Sequence, residues 1–123
     1  MRAILLVGFG GFAGAVLRYG AGRLVVRYAG SGFPWATLAV NVLGSLLLGA
    51  FVGSAQGAAQ PSQSMRLLVA VGLLGSFTTF STFGAETLEL AQAGALGRAV
   101  AYAGASLVLG LAAVWLGAAW ARP

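Results

Sequence analysis

The chain has 123 residues, of which 59% are hydrophobic and only 7% are charged. A soluble domain of this size needs far more charge to cover its surface, so the composition predicts an integral membrane protein. The sequence contains no cysteine and no histidine, which excludes a disulfide, a catalytic thiol, an imidazole base and a histidine zinc ligand. Its two carboxylate side chains, Glu86 and Glu89, are a poor basis for an enzyme or for a proton pump with a carboxylate relay.

Four apolar runs are long enough to cross a bilayer, which takes about 20 residues each. They predict helices over residues 3–26, 35–54, 65–88 and 96–120. The connections are short, so we expect one all-α membrane domain over residues 1–123, a compact four-helix bundle. The first run could imitate a signal peptide, but no polar domain follows it, and we interpret it as a retained first helix.

Glycine is frequent, with 20 residues, and two pairs stand four residues apart in the apolar runs. These pairs are Gly10 with Gly14 and Gly49 with Gly53. Small residues at this spacing let membrane helices approach closely, so both pairs predict packing surfaces.

The net charge of +5 comes from seven arginines, most of which stand at the ends of apolar runs. Solvated helix ends explain this charge better than a nucleic-acid partner, which we do not expect. Four spans place both termini on the same side of the membrane. Three arginines fall on that side, Arg2, Arg66 and Arg122. Three fall on the opposite side, Arg23, Arg27 and Arg98, and Arg18 lies deeper in the first helix toward that opposite side. Because the charge bias that fixes insertion is almost absent, the chain is predicted to insert both ways and form an antiparallel homodimer. The alternative is that lipid or a partner sets one orientation.

The third run contains the segment Gly75-Ser-Phe-Thr-Thr-Phe-Ser-Thr-Phe83, with five hydroxyl residues in nine positions. Polar groups at membrane depth cost free energy unless they face protein, water or a ligand, so the segment is predicted to line a site. Serine, threonine and glycine weaken a helix, and a discontinuous third helix is expected here. Backbone carbonyls freed by a helix break would favour a cation, whereas hydroxyls, amides and ring edges would favour an anion. The residues alone therefore do not decide whether the bound ion is a cation or an anion. A simple packing stripe is the alternative for Phe77, Phe80 and Phe83.

Polar side chains also occur inside the second and fourth runs. Asn41 follows Thr37 by four residues, and Ser106 follows Tyr102 by four, so each pair shares a helix face. A helix–helix hydrogen bond is the alternative for Asn41, because an unpaired amide in hydrocarbon is costly. Arg18 either snorkels to the interface or forms an electropositive vestibule. Glu86 either tunes the polar segment or is a satisfied residue at a helix end.

Three motifs resemble those of the Fluc or CrcB family of small bacterial fluoride channels. They are Gly10-Gly-Phe-Ala-Gly-Ala-Val-Leu-Arg-Tyr19, Thr37-Leu-Ala-Val-Asn-Val-Leu-Gly44 and the segment from Gly75 to Phe83. The resemblance covers essentially the whole chain. It implies a passive, highly selective fluoride channel in the bacterial inner membrane that lowers cytoplasmic fluoride. It also implies an antiparallel dual-topology homodimer with two pores.

The resemblance further implies the residues of the site. Phe80 and Phe83 match the pore phenylalanines, Asn41 matches the pore asparagine, and Tyr102 and Ser106 look like the polar track of the fourth helix. From their positions in the sequence, and not from the resemblance, the hydroxyls of Thr37, Ser81 and Thr82 are also expected in the pore, with Arg18 in the vestibule. A central structural sodium ion is implied, held by the backbone carbonyls of Gly75 and Thr78 from both subunits. Gly110 offers no hydroxyl where the polar row could continue.

Two other functions compete with a fluoride channel. A small dual-topology drug exporter requires a buried carboxylate in its first helix, and residues 3–26 contain none. A structural membrane subunit would use the polar segment as an interface, and the purified chain would then be silent in liposomes.

Overall fold

The computed structural model describes residues 1–57 and 60–123 as four apolar spans. Helix α1 covers Arg2–Ala29, and α2 covers Trp35–Ser54. The third span divides into α3 (residues 63–77) and α4 (Phe80–Gln92), and α5 covers Leu96–Ala121. All four spans are long and apolar enough to cross a membrane, which confirms the predicted four-span architecture.

The third span extends to Gln92, four residues beyond the predicted end at 88. Its end is a Schellman motif, in which Gly94 N–H donates to the Ala91 carbonyl at 3.1 Å and Ala95 N–H to the Leu90 carbonyl at 2.9 Å. Gly94 has φ 77°, in the left-handed region that glycine adopts without steric cost. The helix therefore stops where the glycine occurs and not where the apolar run weakens.

The expected break in the third span is confirmed, and it lies at Thr78 and Thr79. Both residues are extended, with φ and ψ of −82° and 156° at Thr78 and −151° and 118° at Thr79. The Thr79 side chain then accepts the Thr82 N–H at 3.2 Å, which is the N-cap that starts α4. A competing hydroxyl thus ends one helix and begins the next, as the run of Ser and Thr predicts.

Helix α3 contains a π-helical stretch, Arg66–Leu74, directly before the break. Its wider turn continues to Gly75, whose N–H reaches the Ala70 carbonyl five residues back. π-Helical turns are rare and occur often at functional sites. This feature was not predicted, because the composition of the stretch is that of an ordinary apolar helix.

The spans form two tightly packed pairs, α1 with α3 and α2 with α5, at contacts made by glycine. A Cβ atom at Gly14 would overlap the Leu73 carbonyl oxygen of α3. Likewise, a Cβ atom at Gly49 would overlap the Val114 carbonyl oxygen, and one at Gly117 would overlap the Leu46 carbonyl oxygen. Backbone therefore lies directly on backbone in both pairs, an arrangement that small residues permit in lipid.

Large apolar side chains point outward along the spans, among them Phe9, Leu111 and Trp120, which are 71%, 65% and 86% exposed. The interior is instead small or polar at several positions, and its largest fully buried side chain is Tyr102. This distribution suits a bundle whose outer surface contacts lipid, where apolar side chains are at no disadvantage.

We expect Gly117→Ala to lower the free energy of unfolding by about 1–3 kcal/mol, the usual cost of overpacking, since a backbone carbonyl cannot move aside. Gly104→Ala is the matched control, because a Cβ atom there would meet no other part of the bundle within 4 Å. Thermal unfolding in detergent measures both, and equal midpoints for the two variants would contradict the close α2–α5 contact.

Candidate functional site

Helix α2 holds the extended break through one side chain, Asn41. Its Nδ2 donates to the Thr79 carbonyl at 3.0 Å, and its Oδ1 accepts the Thr79 N–H at 2.8 Å. Both backbone groups that the break removes from the helix at Thr79 are thereby satisfied, which avoids a cost of about 1–3 kcal/mol for each buried unpaired group. The amide is itself paired in return, which explains how it is tolerated in mid-span.

Thr79 is the centre of the polar segment, a role that the sequence analysis missed. Its Oγ1 donates to Thr82 Oγ1 at 3.1 Å, lies 3.3 Å from Ser81 Oγ and accepts the Thr82 N–H. Threonine is a favoured N-cap residue, so its position within a segment expected to interrupt the helix could have identified it. Ser81 and Thr82, which were predicted, lie around it on the exposed side of α4.

Two backbone carbonyls beside the break lose the amides that would bond them in a continuous helix. The carbonyl of Gly75 would accept from the Thr79 N–H, which instead donates to Asn41. The carbonyl of Thr78 would accept from the Thr82 N–H, which instead donates to Thr79 Oγ1. These are the two carbonyls predicted to hold a cation.

Glu86 joins three helices through its carboxylate. The Thr37 hydroxyl donates to Oε1 at 2.8 Å, and the Tyr102 hydroxyl donates to Oε2 at 2.7 Å. Thr37 is 7% exposed and Tyr102 is fully buried. Glu86 is therefore an internal anchor for both hydroxyls and not a residue at a helix end.

Four aromatic rings follow one another from the break toward the loop between α1 and α2. The centroids of Phe80 and Phe83 are 5.5 Å apart, and those of Phe83 and Tyr102 are 5.2 Å apart. Phe33 then meets Tyr102 at 5.5 Å with nearly perpendicular planes. The sequence analysis missed Phe33, because nothing in a glycine-rich loop indicates which span its side chain contacts. Phe77 is buried elsewhere, so the three phenylalanines of the segment do not form one packing stripe.

A cavity of about 290 Å³ next to the break brings together four of the predicted pore residues, Asn41, Phe80, Phe83 and Ser106, and the predicted sodium-site residue Thr78. The Ser106 Oγ is buried and has no hydrogen-bond partner within residues 1–57 and 60–123. On α5, the polar row of Tyr102 and Ser106 continues to Gly110, which has no hydroxyl. Ser45 of α2 lines the cavity beside Gly110 and supplies a hydroxyl there. Ser45 follows Asn41 by four residues, so helical spacing could have found it.

A larger groove of about 950 Å³ lies on the other side of the break, between α1 and α2. Its lining includes Arg18 with Arg23 and Arg27, as well as Thr37 and Thr82. Thr79 borders both the groove and the smaller cavity. Three guanidinium groups with no carboxylate in the lining make this groove electropositive.

Comparison with known proteins gives consistent matches along the whole chain. Residues 5–118 match the family described as CrcB-like protein, Camphor Resistance (CrcB). A protein of Thermus thermophilus named fluoride-specific ion channel FluC is 52% identical over 118 residues, 95% of this chain and 93% of that protein. Proteins of the same name are 47% identical in Novosphingobium aromaticivorans, over 95% of this chain and 94% of theirs, and 46% identical in Agrobacterium fabrum, over 99% and 98%. With the four apolar spans, these relatives indicate a multi-pass bacterial membrane protein.

We expect Asn41→Asp to destabilise the break, because a carboxylate oxygen would face the Thr79 carbonyl oxygen where the amide now donates. Losing that bond and desolvating a charge lowers the free energy of unfolding by about 1–3 kcal/mol or more. Gln63→Glu makes the same chemical change at an exposed position at the start of α3 and serves as the control. Thermal unfolding compares the two, and an Asn41→Asp midpoint as high as that of the control would show that Thr79 does not depend on this amide.

Proposed function

The chain belongs to the CrcB-like protein family, and we propose that it is a passive channel that conducts fluoride selectively. The relatives bear the name of a fluoride-specific ion channel, which is a transport function and not an enzymatic one. The observation that carries the proposal is the Ser106 hydroxyl, a buried donor without a partner in the described chain, at a cavity shared with Asn41 and Phe83. A buried polar atom of this kind calls for a ligand or water.

The lining of this cavity suits a small anion. Fluoride is strongly hydrated, so a pore must replace several hydrogen bonds at once. Hydroxyl groups, the second amide hydrogen of Asn41 and the electropositive edges of Phe80 and Phe83 supply neutral donors. Because no arginine borders the cavity, an anion meets no fixed cation there and is bound weakly enough to leave, as conduction requires.

The pathway continues from the cavity along the aromatic row. Tyr102 follows Phe83, and its hydroxyl, like that of Thr37, is held by Glu86. Glu86 fixes the two hydroxyl oxygens through two charge-assisted hydrogen bonds, which in turn stabilise its carboxylate. Arg18 and the neighbouring arginines of the groove form a vestibule that raises the local concentration of anions.

The functional unit we propose is an antiparallel homodimer with two pores. In the single chain, Phe80 is 83% exposed, and Ser81 and Thr82 are also exposed beside a broken helix. Hydroxyls and opened backbone facing lipid are costly, and a second copy would cover them. The nearly even arginine distribution favours a partner of opposite orientation.

A structural sodium ion at the dimer axis completes the proposal. The carbonyls of Gly75 and Thr78 fit it, because their helical amide donors are engaged by Asn41 and Thr79. Carbonyl oxygens are the ligands that hard cations prefer. Two such pairs, one from each chain, would repel each other without a cation between them. In a bacterial inner membrane, the channel would let fluoride leave the cytoplasm passively and lower its concentration there.

Fluoride efflux from liposomes tests this function directly. We expect the purified chain to release fluoride rapidly with little chloride, and Phe83→Ile to reduce the rate at least about tenfold, since an aliphatic side chain has no electropositive edge. Phe9→Ile is the matched control, because this ring is 71% exposed on α1 and lies outside the cavity. A silent wild-type protein in its folded form would contradict the channel and favour a structural subunit, whereas a fully active Phe83→Ile variant would remove this ring from the pathway.

The antiparallel assembly predicts both orientations in the membrane. Fusing a compartment-sensitive reporter to the C-terminus should give signals from both sides, and adding lysines to the loop at residues 30–34 should bias the population to one side. Biased variants should lose flux alone and regain it when two oppositely biased variants are expressed together. A single orientation for the unmodified chain would contradict the dual-topology dimer.

A further inference from the structure

We infer that Gly44 is a positioning residue for the helix break, acting together with Asn41 on the same face of α2. Asn41 hydrogen-bonds the backbone of Thr79. Gly44, three residues further along α2, packs against the side chains of the two residues before Thr79. Residues three apart are neighbours on a helix surface. The two positions therefore hold residues 77–79 from one side.

The contact at Gly44 is made by side chains and not by backbone. A Cβ atom at Gly44 would overlap the Thr78 methyl group and lie 3.1 Å from Cδ1 of the buried Phe77 ring. At Gly49 and Gly117, by contrast, a Cβ atom would meet a backbone carbonyl of the partner helix. Gly44 therefore differs from the glycines that join the helix pairs. The space left by its missing side chain is filled by side chains of the break, those of Thr78 and Phe77.

The orientation of Thr78 explains why its methyl group faces Gly44. The Thr78 hydroxyl donates to the Leu74 carbonyl at 3.1 Å, which fixes the side chain toward α3. With Oγ1 held there, Cγ2 occupies the remaining direction, against α2. A larger residue at position 44 would push Thr78 away and lengthen the adjacent Asn41–Thr79 hydrogen bonds.

This displacement would reach the proposed pathway. Phe80 follows Thr79 directly, and both line the same cavity as Asn41. A shift of the break by a fraction of an ångström would change where the Phe80 ring and the Thr78 carbonyl stand relative to the Asn41 amide. Misplacements of about 1 Å at functional groups can change rates by about 100-fold. The flux part of this inference rests on the proposed fluoride conduction.

The test is suppression of Gly44→Ala by Thr78→Ser. Serine retains the hydroxyl that donates to Leu74 and removes only the methyl group that the alanine would meet. We expect Gly44→Ala to lower fluoride flux per folded channel about tenfold and to accelerate hydrogen exchange at the Thr79 amide. The double variant should recover both to the level of Thr78→Ser alone, while Gly104→Ala should match the wild type.

The outcomes separate positioning from packing and from a failure of the proposed function. Unchanged exchange at the Thr79 amide in Gly44→Ala, or a double variant as impaired as the single one, would overturn the inference. So would normal flux per folded channel combined with a lower unfolding midpoint, because a packing role alone gives that result. If Gly44→Ala does not fold, recovery of folded protein in the double variant supports the inference, and failure of both overturns it. If the wild type carries no fluoride, the proposed function fails, whereas exchange at Thr79 still decides the role of Gly44.

Discussion

The pairing of the Asn41 amide with both backbone groups of Thr79 is the interaction on which the site depends. Within a bilayer, a chain can leave the helical conformation only where other protein groups or water satisfy its amides and carbonyls. Asn41 meets that requirement with a single residue, since its side chain carries a carbonyl acceptor beside an NH2 donor, as a peptide group carries a C=O beside an N–H. This pairing stabilises the extended backbone at Thr79 and leaves the Gly75 carbonyl without its helical donor.

Close packing brings the spans near enough for such short contacts. Glycines of α1, α2 and α5 let the backbones of paired helices touch, so short polar side chains can reach across the bundle. The same closeness lets one carboxylate, that of Glu86, accept hydroxyls from two other spans. The π-helical stretch of α3 packs against α1. Its wider turns end just before the break in the third span.

Composition and local pattern predicted the spans and the break because both depend on neighbouring residues. Apolar length defines a span, and a run of Ser and Thr disfavours a helix wherever it occurs. Local pattern also singled out Asn41 and Ser106, whereas the family resemblance implied Phe80 and Phe83 as pore residues, and all four line one cavity.

Contacts between distant residues could not be predicted in this way. Glu86 stayed ambiguous because its partners, Thr37 and Tyr102, lie on other spans, and their approach depends on the packing of three helices. Phe33 was missed because its loop carries no periodicity that could indicate a direction. The π-helical stretch was missed because Arg66–Leu74 has an ordinary apolar composition, which does not distinguish a π-helix from an α-helix.

A satisfied break in the third span thus lies beside a cavity whose neutral donors suit a small anion. A planar-bilayer recording with fluoride on one side and chloride on the other tests this connection most directly. We expect a current carried by fluoride. The zero-current potential should lie far from 0 mV, with the sign expected for fluoride as the permeant ion. A zero-current potential near 0 mV would show that the two halides pass equally, and the donors of this cavity would then not select fluoride.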